Sequence, residues 1–155
     1  MSYTSKRQAA VAVILARLEE ITVENGFATD AGENVSLGET PQLGPDDPDV
    51  ALSILVQDDD TGHQGEHIVC QVPIEVHGIV PDNMASPTAA MEALVSDIKR
   101  AIEVAGDPAR SLGGILVRRG LTRGSTRILR RAAGSEYMGV VVQYVATLGE
   151  VWGAP

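Results

Sequence analysis

The chain has 155 residues, of which 44% are hydrophobic and only 3% aromatic, with one cysteine and a formal charge of −9. That length points to one domain burying about two-thirds of its unfolded surface, around a core of Val, Ile, Leu and Ala. The lone Cys70 excludes an internal disulfide, and the negative charge disfavours general binding to nucleic acid or anionic membranes.

The first predicted element is a helix over residues 4 to 24. Ala10, Ile14, Leu18 and Ile21 recur at spacings of three and four, which puts them on one face. Thr4 or Ser5 can cap its start, and Gly26 stands where a left-handed C-terminal residue belongs. Lys6-Arg7 followed by Ala9 to Ala16 has the outline of a signal peptide. Arg17, Glu19 and Glu20 follow at once, so the segment reads as an amphipathic helix. No run of the sequence approaches the ~20 apolar residues of a membrane span. Residues 28 to 48 are polar and rich in Gly, Pro and acid, a loop with at most one short strand near Val35 to Leu37.

Two strands come next. Val50, Leu52, Ile54 and Val56 alternate with smaller or polar residues. After a connection from Asp58 to Glu66, Ile68, Cys70, Val72, Ile74 and Val76 resume the period of two. Joined by a Gly-containing loop, they predict a long antiparallel hairpin. Pro73 has no N–H to give a ladder and predicts an edge strand or a bulge. Ser86 and Pro87 then start a second helix, with Met91, Leu94, Val95, Ile98 and Ile102 as its apolar stripe and Gly106 as its stop. Beyond Gly113-Gly114, a strand near Ile115 to Arg119 and a Gly-interrupted basic stretch are expected. Last comes a strand around Met138 to Ala146, apolar on both faces and therefore central or covered, with residues 149–155 as a tail. The order predicts an α+β fold: two helices on one face of a mostly antiparallel sheet of about four or five strands, in one domain over residues 1–155.

Charge is sorted along the chain. Arg110, Arg118, Arg119, Arg123, Arg127, Arg130 and Arg131 fall in a window without Asp or Glu. The 109 residues before it hold 19 acids and five bases. One reading is a solvated strand pair whose arginines neutralise acids of the same fold. Another is a docking surface for an acidic neighbour, since guanidinium binds carboxylates bidentately and is weakly hydrated. Nucleic-acid contact is a third, although the stretch has no aromatics for base stacking.

Asp58, Asp59, Asp60, His63, Glu66 and His67 are the one group with metal-ligand chemistry, which would make the chain a small metal-dependent enzyme. Their spacing fits no calcium loop, and a polar hairpin tip accounts for them equally. No nucleophile elbow, phosphate loop or dinucleotide fingerprint is present. Cys70, on the apolar side of its strand, reads as an inert buried thiol. Trp152 can pack on its own domain or anchor a partner.

The element order resembles the tail terminator (tail-completion) proteins of long-tailed bacteriophages and prophages. The likeness runs through the helix Arg7 to Glu20, the polar loop and the strand Gln71-Val72-Pro73-Ile74-Glu75-Val76-His77-Gly78. It continues in the helix Met91-Glu92-Ala93-Leu94-Val95-Ser96-Asp97-Ile98, the break Leu112-Gly113-Gly114, and the strand Gly139 to Thr147 followed by Gly149. Tyr144 to Glu150 keeps the tyrosine and the acid of that family's closing strand but lacks its basic residue. A head-completion, connector or minor tail protein is the neighbouring alternative. The resemblance implies a structural protein without cofactor or metal, forming a ring, usually of six subunits, at the head-proximal end of the virion tail after assembly in the host cytoplasm. Such a ring caps the tail tube, stops its polymerisation and offers the joining surface for the head-completion protein, while DNA passes the lumen without specific binding. It also implies subunit or partner contacts through Arg118, Arg119, Arg123, Arg127, Arg130, Arg131, Asp58, Asp59, Asp60 and Trp152.

Overall fold

The computed structural model describes residues 5–43, 50–64, 67–83, 85–104, 106–129 and 136–151. Its elements are α1 (Lys6–Glu19), a short 3-10 turn (Ala31–Glu33), β1 (Val35–Leu37), β2 (Ala51–Val56), β3 (Asp60–Gln64), β4 (His67–Pro81), α2 (Pro87–Ile102), β5 (Leu121–Leu129) and β6 (Tyr137–Val151). The fold is the expected α+β arrangement, with two helices against an open, mostly antiparallel sheet of six strands. The sheet order is β1-β2-β4-β6-β5, and β3 also pairs with β4. Only β1 and β2 run parallel.

Ser5 caps α1: its hydroxyl accepts the Gln8 N–H, and the Gln8 side chain accepts the Ser5 N–H, at 3.2 and 3.1 Å. The helix ends at Glu19, five residues short of the expectation, although Ile21 is fully buried. The β-branched run Ile21-Thr22-Val23 has poor helix propensity, and other partners take its backbone groups. The Val23 N–H goes to the Asp30 carboxylate (2.7 Å) and the Ile21 carbonyl accepts from Gly32 (2.8 Å). Gly26, at φ +82°, closes the following turn rather than the helix. A Cβ on Gly32 would lie 2.5 Å from the Glu19 carbonyl oxygen, so only glycine fits this crossing.

The hairpin holds, with an addition. β2 and β4 pair antiparallel from Ala51 opposite Ile79 to Val56 opposite Ile74, and the connection contains a strand of its own, β3, on the same side of β4. Pro73 lies in an interior strand, not an edge, and β4 shows no bulge there. Its neighbour breaks instead: β2 ends at Val56 and β3 begins at Asp60, opposite the missing N–H, while the Pro73 carbonyl accepts from Gln57 at 2.9 Å.

α2 begins as expected with Pro87 in its first turn, and it ends at Ile102, before Gly106. Its buried stripe is the predicted one, with Asp97 and Ala101 added. It crosses the sheet at Gly78, where a Cβ would lie 2.7 Å from Leu94 Cδ2. The strand expected near Ile115 to Arg119 is a series of turns. Arg110, Leu112 and Arg119 all have positive φ, and the Asp107 carboxylate accepts the N–H groups of Ser111 (3.1 Å) and Leu112 (2.7 Å). Local side-chain acceptors thus outcompete a ladder, and the buried Leu112 and Leu116 anchor the turns. The basic stretch beyond them is strand β5, irregular between Arg123 and Thr126. β6 is central, between β4 and β5; Val140, Val142, Tyr144, Ala146 and Leu148 join the helix-side core, and Val141 on its other face is also buried.

Candidate assembly surfaces

Folding places the described arginines of residues 110–127 along one edge of the sheet and the aspartates of the bend after β2 at the other. β5 is the outer strand on one side, and every residue after Leu121 is exposed. Arg118 and Arg119 precede it in an exposed turn, and Arg123 and Arg127 lie on it. On the other side the bend between β2 and β3 exposes Asp58, Asp59 and Asp60. Arg130, Arg131, Glu66 and Trp152 lie outside the described residues, as do the side chains of His63 and His67. Among the described residues no group of three or more His, Cys, Asp or Glu side chains is placed to hold a metal, and no helix is long and apolar enough to cross a membrane.

The arginines divide into two sets. Arg123 donates to Glu103 (3.1 Å), and Arg127 donates to Glu75 (3.3 Å) on the helix-free face. Those two fit the reading in which arginines neutralise acids of their own fold. Both pairs are largely solvated on the arginine side, so each contributes at most about 1 kcal/mol. Arg110, Arg118 and Arg119 have no ion pair or side-chain hydrogen bond among the described residues. The acids divide likewise. Arg7 reaches Asp59 (3.5 Å) and the Gln57 carbonyl (2.8 Å), whereas Asp58 and Asp60 are unpaired among the described residues.

A cleft of about 650 Å³ opens beside the basic edge, between the end of α2, the turn from Asp107 to Arg110 and the start of β5. Its floor is the buried Tyr144, whose hydroxyl donates to Glu103 at 2.9 Å. Burial first, then the Glu103 charge, pushes the phenol far above its ordinary range. Asp107 accepts from Arg17 (3.2 Å) as well as from the two backbone N–H groups; these bonds outweigh its burial and hold its carboxyl below the usual range. The acids of the cleft are therefore already matched, and Arg110 is its unmatched charge. Neither Glu103 nor Asp107 stands out in sequence, and only the tertiary fold brings them to Tyr144.

Two further features flank the edges. On the helix-free face, Glu75 accepts from Gln143 (2.7 Å) and sits 2.9 Å from His77 Nε2; these bonds hold its pKa below the ordinary value. Beside the acidic edge, an apolar groove of about 410 Å³ lies between Val11 and Leu15 of α1 and Leu37, Ile54 and Val56 of the sheet. Leu37 is 50% exposed there, and Ile128 and Leu129 are similarly exposed at the opposite edge. Cys70 is buried, and desolvation pushes its thiol pKa up, as an inert thiol requires.

No protein-family model matches this chain, and no curated protein matches it.

Proposed function

We propose that this chain is a structural assembly protein that works as a closed ring of identical subunits. In keeping with its resemblance to tail terminators, the ring caps a phage tail tube, stops its growth and presents the surface that joins the head-completion protein. The observation that carries this reading is the placement, among the described residues, of unpaired Arg110, Arg118 and Arg119 at one edge of the sheet and unpaired Asp58 and Asp60 at the other. Head-to-tail contacts close into a ring only when each subunit carries two different, mutually complementary patches. A subunit with unpaired arginines on one edge and unpaired aspartates on the other supplies that pair. The overall charge of −9 also suits a lumen that must pass DNA without gripping it.

The test is a capping assay with purified tail-tube protein, read by electron microscopy. The expected result is ring-shaped density on tube ends and tubes of arrested length. Tubes that grow without limit, in the presence of protein that never joins their ends, would remove the terminator reading. Joining to portal complexes instead of tube ends would place the chain on the connector side.

A further inference from the structure

The two edges match in shape as well as in charge, and the match fixes how subunits meet. Three observations combine. The first concerns height along the strands. The Gln57 N–H reaches Pro73, Pro73 opposes Val145, and Val145 opposes Thr122. The acidic bend and the mouth of the basic cleft are thus the two ends of one transverse row. A second row runs from Val35 through Leu52, Gly78 and Val140 to Ile128. Complementary patches at equal height let a rotation about an axis roughly along the strands bring them together without a rise, which closes a ring rather than a helical filament.

The second observation is the outline of each edge. On the acidic side β1 adds an extra column opposite Leu52 to Ile54, but not at the level of the bend. On the basic side the N–H of Leu121 goes not to β6 but to the carbonyl of Arg110 (2.9 Å). Arg110 therefore adds a column at the level of Leu121, while β5 from Thr126 to Ile128 has none outside it among the described residues. One edge steps out where the other steps back.

The third is strand direction. β1 runs with β2, and the pairs β2–β4, β4–β6 and β6–β5 are each antiparallel. The free edge of β5 is consequently antiparallel to the free edge of β1 in a neighbour related by such a rotation. Main-chain pairing between exposed sheet edges is an established mode of association.

We infer that β5 of one copy adds antiparallel to β1 of the next, with Ile128 opposite Val35 and Arg110 beside the Asp58–Asp60 bend, so that the sheet continues from subunit to subunit. Val35, Leu37, Thr126 and Ile128 all lie on the helix side of the sheet, because their partners Leu52, Ile54, Val142 and Val140 do. Thr126 then faces Leu37 at the mouth of the apolar groove, and Ile128 lies diagonal to Leu37, so the exposed Leu37 and Ile128 are both covered by the neighbouring copy. The occupant of the groove is a second copy of this chain. The inference rests on the ring reading and adds the geometry of its contact.

Double substitution Val35→Cys with Ile128→Cys tests it. Opposed residues in antiparallel strands have Cα atoms about 4.5–5.5 Å apart, within disulfide reach. Wild-type protein, whose one thiol is the buried Cys70, is the control. Oxidation is expected to give a covalent ladder ending at the ring size, whereas either single substitution gives none. Arg110→Glu in the double variant should abolish the ladder, and adding Asp58→Lys with Asp60→Lys should restore it. Rings seen by microscopy without that cross-link would overturn the edge pairing and leave the ring standing. A chain that stays monomeric with or without tail tubes would overturn both.

Discussion

The two edges of this sheet are held in different ways. β5 hangs on β6 through a ladder from Leu121 opposite Ala146 to Leu129 opposite Gly139, and among the described residues its outer flank is bare except near Arg110. The acidic edge is a composite of the short β1, the bend after β2 and the strand β3, and β1 depends on the loop that leads into it. Asp97, buried in α2, holds that loop by accepting the N–H groups of Ala28 and Thr29 and the Thr29 hydroxyl, at 2.8 to 3.1 Å. The basic edge is carried on one ladder, which is interrupted between Arg123 and Thr126. Within the acidic edge, β1 has only three ladder residues and leans on the loop that Asp97 holds, so it should be the easier part to dislodge.

Removing what both edges share should have the largest effect. Gly78→Val drives a side chain into Leu94 and Val140, where α2 crosses the sheet; overpacking costs about 1–3 kcal/mol, and the upper end is expected. Chemical denaturation should show one cooperative loss, with neither edge surviving the other. Asp97→Ala comes next. It removes the charged acceptor of the Ala28 and Thr29 N–H groups and the Thr29 hydroxyl, at about 1–3 kcal/mol in all, and hydrogen exchange should accelerate at residues 28–37 while β5 keeps its protection. Equal acceleration at both edges would remove the contrast.

A smaller effect is expected from acid, and it falls on the basic side. Glu75, tied to Gln143, His77 and Arg127, and Asp107, tied to Arg17, both have depressed pKa values. Their contribution is complete above their unfolded pKa values, at about pH 5 and higher, and is lost as pH falls through the lower folded values. Stability should therefore decline below about pH 4, and less steeply in Glu75→Gln. Least of all, Arg123→Ala removes a solvated pair with Glu103 and should shift stability by about 0.5 kcal/mol.

Much of this frame was legible in the residues themselves. Pro87 and the stripe from Met91 to Ile102 specify α2, although the Ser86 hydroxyl makes no capping bond, and period-two alternation specifies the hairpin and β6. What escaped depends on contacts distant in sequence. The stop at Glu19 needs Asp30 and Gly32 as competing partners, and β3 is a polar strand whose only cue is the partner it pairs with. The turns at 111–120 look strand-like until Asp107 gathers their N–H groups. The run of arginines was plain, but its division into paired Arg123 and Arg127 and unpaired Arg110, Arg118 and Arg119 required Glu103 and Glu75 in place. Arg110 belongs to the edge only through its carbonyl bond to Leu121.

The central claim, that the two edges recognise each other, is tested most directly by mixing complementary variants. Arg110→Glu with Arg118→Glu leaves a subunit acidic on both edges, and Asp58→Lys with Asp60→Lys leaves one basic on both. Light scattering is predicted to find each variant monomeric alone and the equimolar mixture assembled into rings of alternating subunits. Two folded variants that each assemble as the wild type does, or a mixture that stays monomeric while the wild type forms rings, would contradict it.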